Sequence, residues 1–512
     1  MKTIEVAPRG RNPFDESGVE LGADGIKRYT NRPPSLVEML RASVQRDPDA
    51  PAIIDIGNVE LNYQELWDRS ARVAGGLRAQ GIQRGDRVAI NLQNGADWVL
   101  AFWGAQLAGA VVVPVNTRFK ESEVEYVVND SGAALTIVEG MELPDGEPLD
   151  CDDLQPDDLA AIFYTSGTTG FPKGAMTSHA NFLTNSMNVM RAGNIPMEEG
   201  PELSTLISVP LFHVTGCNSQ LIPLLEVGGR TAILKSALDL DGIIDAMNDI
   251  GITHMVTVPA IYFALLRHPR IGEVDTSKLR GVSYGGAPMA PPVVRELGEQ
   301  FPNARRGNGF GLTESCSLLT SLPDEDCAEH ADSVGFAMPV CDLAIDDPDP
   351  ETGVGELLAR GPNIVMGYWN KPEATAETFV GGWLHTGDLA RIDDEGLLYI
   401  VDRKKDMINR GGENVYSVEV ESALADAPGV GEAAVIGVPD DMMGEKVGAV
   451  IVPAPGVEFD PQAVVAYARE RIADFKVPQY IALRSEPLPR NPGGKVLKKQ
   501  LREETEWGAP LR

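Results

Sequence analysis

From Ser35 onward, short apolar runs bounded by turn residues alternate with segments of helical period. Leu36, Met39, Leu40 and Val44 recur at helical spacing, residues 52–55, 88–91 and 110–115 read as buried strands, and residues 63–79 and 121–129 read as helices. The strand signal returns at 206–209, 230–234, 253–258 and 279–283, with helical segments between. Alternation of this kind commits a chain to sheets covered by helices, an α/β fold. Between about 333 and 402 the pattern changes to short strands at close spacing with Gly, Asp and Pro turns, which predicts a small β subdomain. A basic, turn-rich crossing at 402–405 then leads to apolar strands at 433–438 and 447–452 and a helix at 461–472, which predicts a small α+β domain. Residues 1–34 lack periodicity and read as an extended arm, so the expected division is 1–34, 35–402 and 403–512.

A chain of 512 residues is too long for one ordinary core. A net charge of −31 excludes a nucleic-acid surface, because backbone phosphates would be repelled. The five cysteines lack metal-ligand spacing and suit a reducing cytoplasm. The first residues lack the apolar core of a signal peptide, and the last lack a prenylation or peroxisomal signal. Residues 98–115 carry no charge and are just long enough to cross a bilayer, but Gly109, Pro114 and three successive valines make them a helix, a turn and a buried strand.

YTSGTTGFPKG, residues 164–174, joins the apolar run 159–163 to a helical segment beginning at His179. Glycines let backbone N–H groups approach phosphate oxygens, hydroxyls add donors, and Lys173 adds a charge. A Walker A loop is excluded, since that motif needs Gly-Lys followed by Ser or Thr, and Lys173 stands between Pro172 and Gly174. The loop predicts nucleotide handling of another kind.

Further motifs follow in order: PLFHVTG (210–216), YGGAPM (284–289), NGFGLTES (308–315), GELLARGPNIVMGYWN (355–370), GWLHTGDLA (382–390), YIVDRKKDMINRGGENVYSVEVE (399–421) and LPRNPGGKVLKKQLR (488–502). Together with the phosphate loop they resemble the signature segments of the adenylate-forming superfamily, the AMP-dependent acid–CoA ligases. The resemblance implies a large N-terminal domain of two helix-covered sheets plus a β subdomain, joined to a small mobile C-terminal lid. It implies ATP, Mg²⁺ and coenzyme A as reactants and a small carboxylic acid as substrate.

By the same resemblance Thr165, Ser166, Gly167, Thr168, Thr169, Gly170 and Lys173 hold phosphate, and Gly285, Gly286, Ala287, Asn308, Gly309, Phe310, Gly311 and Thr313 surround the base and phosphates. Where the family usually has Tyr, Phe310 keeps ring stacking without a hydroxyl. Glu314 is the expected Mg²⁺ ligand, with Thr165 as its hydroxyl partner, since a carboxylate beside polyphosphate needs a screening cation. Asp388 is expected to accept from the ribose hydroxyls beside Arg403, Lys405 to be the hinge, and Gly411, Gly412 and Glu413 to reach the site for thioester formation. Lys495 is expected to bridge the carboxylate and the α-phosphate. Lys498 and Lys499 read as surface charges.

His213, Val214, Gly216, Cys217, Tyr284, Gly285 and Gly311 are expected to border the acyl group, with His213 also counted among the catalytic residues. These segments hold no Arg or Lys for a second carboxylate and no Asp or Glu for an amine, which predicts an apolar monocarboxylate. A medium- or long-chain fatty acid is favoured over an aryl or cyclic acid. An acyl-AMP-forming enzyme with another acceptor and a non-catalytic nucleotide- or acyl-binding regulator are the alternatives. No nucleic acid, no transmembrane segment and a cytoplasmic location are expected. A homodimer and an acetyltransferase–deacetylase pair acting on Lys495 are the partners left open.

Overall fold

The computed structural model describes residues 4–165, 172–236, 238–411, 413–457, 459–490 and 496–511. Ser166, Gly167, Thr168, Thr169, Gly170, Gly412 and Lys495 therefore lie outside the described residues.

Among the described residues a nine-stranded sheet runs in the order Phe336–Ala337, Thr320–Leu322, Arg305–Phe310, Gly281–Gly285, His254–Thr257, Ser204–Ile207, Arg230–Ile233, Pro51–Asp55, Val59–Asn62. Its six strands from Arg305–Phe310 to Pro51–Asp55 are parallel, and antiparallel strands close both edges. A second sheet orders Leu135–Val138, Arg87–Asn91, Val111–Pro114, Leu159–Thr165 and Lys173–Ser178, parallel but for the last pair.

One apolar core takes side chains from both sheets and from the helices between them, Leu36–Arg46, Tyr63–Ala79, Ala96–Leu107 and His179–Gly193. This explains the uncharged stretch at 98–115. All residues of Ala96–Leu107 but Asp97 are buried, Trp98 stacks on Phe102 at 5.4 Å, and a helix surrounded by apolar neighbours is apolar all round. No helix among the described residues is long and apolar enough to cross a membrane.

The β subdomain orders Asp342–Asp346, Gly355–Arg360, Trp383–Ile392 and Phe379–Val380, with Leu398–Arg403 also paired to Trp383–Ile392. After four intervening residues Ile408–Arg410 begins the last sheet, with Glu413–Val415, Gly444–Pro453, Val430–Asp440 and Tyr480–Leu483. Helices Ser417–Leu424 and Pro461–Arg469 share its core. The two long strands exceed the expected 433–438 and 447–452, because their polar ends pair in register as far as Asp440 and Gly444.

The N-terminal arm carries more structure than its composition suggests. Val19–Leu21 and Lys27–Tyr29 form a hairpin, Phe14 is buried, Arg9 donates to the Cys341 carbonyl at 2.7 Å, and Arg11 pairs with Asp326. These contacts tie the arm to the large domain.

His179 opens the helix after the second sheet and its Nδ1 accepts from the Leu36 amide at 3.3 Å. Burial, then the nearby Arg84 working against Asp158, depresses its pKa to about 4. The folded protein thus binds no proton here between the ordinary histidine range and about 4, whereas the unfolded chain does, so stability is lost as pH falls from about 6.5 towards 4, by about 3 kcal/mol. Urea midpoints of wild type and His179→Gln at pH 7 and 4.5 check this. The wild type should lose more stability on acidification than the variant, which has no proton to take up.

Candidate active site

A cavity of about 890 Å³ opens at the C-terminal ends of the parallel strands, the place where open α/β sheets bind ligands, and runs along the sheet to Thr205, His254 and Gly281 near the strand starts. Its walls come from both sheets, the β subdomain and the lid. Thr165, Lys173, His213, Gly285, Phe310, Glu314, Arg403, Lys405 and Val496 all line it.

Thr165 ends the strand Leu159–Thr165 and faces Lys173 in register across the phosphate loop. Both ends of the loop are clamped. Tyr164 donates to Asp130 at 2.8 Å, Lys371 pairs with the same carboxylate at 2.7 Å, and Trp369 donates to the Asp130 carbonyl at 3.1 Å. Segment 366–369 is hydrogen-bonded along the edge of Lys173–Ser178. This brings Tyr368 under Lys173, whose ammonium stands 4.9 Å from the ring centroid.

Tyr368 donates to Glu314 Oε1 at 2.7 Å. Burial and then the Glu314 charge raise the tyrosine pKa, so its proton stays on. Glu314 is thereby fixed, with no second side-chain hydrogen bond among the described residues, and it sits in Thr313–Ser315, a turn followed by Cys316 and Ser317 at φ 58 and 131. Left-handed backbone at two non-glycine residues costs free energy and is held by the Asn218 and Asn363 amides, which donate to the Cys316 and Ser315 carbonyls. One carboxylate and the Thr165 hydroxyl, beside room for phosphates and water, is the donor set magnesium takes.

Gly285 and Gly309 are register partners on adjacent strands, and a Cβ on Gly285 would stand 2.4 Å from the Gly309 carbonyl oxygen. Gly286 has φ 76. Gly311 lines the same wall, where a Cβ would collide with the Ser317 carbonyl. Thr313 and Phe310 line the cavity with them. Ala287 follows at the strand end but does not reach the lining.

Asp388 is 2% exposed and pairs with Arg403 Nε at 2.6 Å, its register partner on the neighbouring strand. Lys405 lines the cavity two residues on, its pKa lowered by burial. Gly411 (φ 64) and Glu413 lie outside the lining, whereas Val496 and Leu497 are part of it. The C-terminal domain thus presents Val496 and Leu497 to the cavity in this arrangement.

Four expectations need correction. Asn308 is buried and turns its amide to the Ser333 carbonyl at 3.0 Å, away from the cavity. Gly216 and Cys217 are also off the lining. After His213 the chain coils, so Ser219 and Gln220 face the cavity, while Gly216 packs on the Pro210 carbonyl and Cys217 enters the core beside Cys316. Tyr284 belongs to the wall through its strand, but alternation sends its ring, 1% exposed, into the core with Tyr262. His213 and Val214 do line the cavity, on a turn that Asn94 fixes by accepting from the Leu211 amide at 2.8 Å and donating to the Val209 carbonyl at 2.9 Å.

Lys498 is the fourth. Its side chain is only 12% exposed, pairing with Glu421 at 2.7 Å and donating to Ser417 Oγ at 2.6 Å, while Ser417 in turn donates to Asp402 at 2.8 Å. Lys499, 59% exposed, is the surface charge expected. Burial raises the Asp402 and Glu421 pKa values, so removing the ammonium leaves two acids without their cation. Lys498→Met is expected to destabilise the lid by about 3 kcal/mol or more. Urea unfolding followed at Trp507, packed on Tyr480 in the lid, reads this, and an unchanged midpoint would show the network to be idle.

The arrangement is a strand-end cleft with glycine-rich walls, a fixed carboxylate and a buried Asp–Arg pair, covered by the C-terminal domain. A model of AMP-binding enzymes matches residues 40–151 and 138–369, and one of the AMP-binding enzyme C-terminal domain matches 419–495. The chain is 38% identical over 474 residues to a feruloyl-CoA synthase of Amycolatopsis sp, covering 87% of this chain and 94% of that one. It is 35% identical over 500 residues to a long-chain-fatty-acid–CoA ligase of Mycobacterium tuberculosis, with coverage of 91% and 97%. An o-succinylbenzoate CoA synthetase from Bacillus subtilis, solved with its acyl-adenylate intermediate, superposes with a TM-score of 0.83 at 29% identity, covering 93% of this chain and 100% of that one. The chain belongs to the adenylate-forming superfamily, in its AMP-forming acyl-CoA ligase family.

Proposed function

We propose that the protein activates an apolar monocarboxylic acid with ATP and passes the acyl group to coenzyme A. A carboxylate oxygen bonds to the α-phosphorus while the α–β bridging bond breaks, giving acyl-AMP and pyrophosphate. The CoA sulfur then attacks the acyl carbon, AMP leaves, and the thiol proton passes to water. Magnesium, held through Glu314 and Thr165, would supply charge neutralisation on the phosphates. Tyr368 orients Glu314, Lys173 stands at the end of the phosphate loop, the Asp388–Arg403 pair receives the ribose, and Phe310 stacks on the base. Lys495 serves the first step, and rotation about Lys405 replaces it with residues 411–413 for the second. The domain limits follow from this hinge, with the lid beginning at 403.

The observation that carries the acid class is the deep wall of the cavity. Val189, Ala192, Val256, Ile261, Gly281 and Gly307 line it, and its cations, Arg118, Lys173, Arg403 and Lys405, lie on other segments. A second carboxylate buried there would cost several kcal/mol. A medium or long aliphatic chain fills such a space. The aryl reading is favoured by one feature: Gly281, Gly285, Gly307 and Gly309 leave bare backbone on adjacent strands, a flat surface for a ring. Five free thiols, four of them buried, suit a reducing cytoplasm. A carboxylic-acid panel assayed for AMP release with CoA present tests the reading. Hexanoate, decanoate or cinnamate should be preferred to acetate, and malonate or an amino acid outcompeting them would overturn the acid class.

A further inference from the structure

We propose that His254 determines substrate specificity, by offering its imidazole, at the end of the acyl cavity far from the mouth, to a hydroxyl on the far end of the acid. This rests on the reading that the acid lies in this cavity.

His254 opens the strand His254–Thr257 and is paired in register with Thr205 on one side and Gly281 on the other. All three line the cavity. Gly281 begins a strand whose last residue, Gly285, meets Gly309 at the mouth, so the imidazole lies about 13 Å deep at about 3.3 Å per residue. That depth is reached by a para-substituted cinnamate-type acid or by a medium aliphatic chain. The missing side chain at 281 makes room for the ring, since a Cβ there would stand 2.7 Å from His254 Cδ2.

The ring is anchored at one nitrogen only. Nδ1 lies 2.9 Å from Thr253 Oγ1, which is itself held by the Ser204 backbone at 2.9 Å. Nε2 has no hydrogen-bond partner among the described residues and is not sealed away from the cavity. Burial, with Arg280 adding to it, holds the imidazole neutral down to about pH 4, so it meets substrate as a hydrogen-bonding group and not as a charge. Either tautomer serves a hydroxyl, which both donates and accepts, and neither serves a methyl or a ring edge. An acid ending in carbon leaves Nε2 buried without a partner, and that penalty is the source of discrimination.

The test compares matched pairs, 4-hydroxycinnamate with cinnamate and 10-hydroxydecanoate with decanoate, by kcat/KM for acid-dependent pyrophosphate release. Wild type should favour the hydroxylated member of at least one pair by about tenfold. In His254→Leu the ratio should fall to one or below through loss on the hydroxylated acid, with KM carrying most of the change, and His254→Gln should restore part of the preference. Preference confined to one pair identifies the body as aryl or aliphatic and supports the assignment. Equal use of both members by wild type, or an unchanged ratio in His254→Leu, overturns it while leaving the proposed ligase function standing. If no acid in either pair is activated, both readings fall.

Discussion

Glu314→Gln is expected to slow acyl-AMP formation by about 10²–10³-fold with little change in folding stability. The amide keeps an oxygen to accept from Tyr368, so the 2.7 Å contact and the turn around it survive. What disappears is the negative charge that would hold magnesium against the phosphates. The magnesium concentration giving half-maximal rate should therefore rise along with the loss of rate, while the thermal midpoint stays within a degree or two of wild type. A variant that binds magnesium and turns over normally would remove Glu314 from the chemistry.

Lys495→Ala should separate the two half-reactions. Acyl-AMP formation is expected to fall by about 10²–10³-fold, since one ammonium must offset both an incoming carboxylate and the α-phosphate. Thioester formation from supplied acyl-AMP should be nearly intact, because residues 411–413 serve that step in the proposed function. The lid arrangement motivates this. Val496 and Leu497 line the cavity while Gly411 and Glu413 do not. Acetylation of Lys495, which removes the charge, should reproduce the same split. Equal loss in both steps would contradict a lid that exchanges one segment for another.

The parts of the site that were legible in the sequence are those whose chemistry is local. A phosphate loop needs glycines, hydroxyls and a lysine within one short stretch, and Asp388 and Arg403 each stand in a recognisable segment. The helix–strand alternation likewise announced helix-covered sheet, since buried parallel strands are continuous apolar runs, while the division into two sheets came only from the family resemblance. What escaped depends on contacts between distant residues. Tyr368 reaches Glu314 across 54 positions, and nothing near either residue announces the pair. Asp130 at the end of an ordinary surface helix clamps the phosphate loop only because Tyr164, Trp369 and Lys371 converge on it.

Lys498 was misread for a related reason. Lys499 beside it is a surface charge, and only the fold brings Glu421 and Ser417 over Lys498. Gly216 and Cys217 were assigned to the acyl wall because they follow His213, but a coiled backbone rotates successive residues about its axis and carried Ser219 and Gln220 there instead. Nothing in the local sequence marks His254, one histidine in an apolar strand; what gives its position meaning is the register that sets Gly281 and Thr205 beside it.

The most direct measurement of the two-step account is pyrophosphate release from protein, ATP and a preferred acid before CoA is added. The account predicts a burst of one pyrophosphate per active site that requires the acid, followed, on addition of CoA, by AMP and thioester in equal amounts. Absence of pyrophosphate until CoA is present, or ADP and phosphate as products, would contradict it.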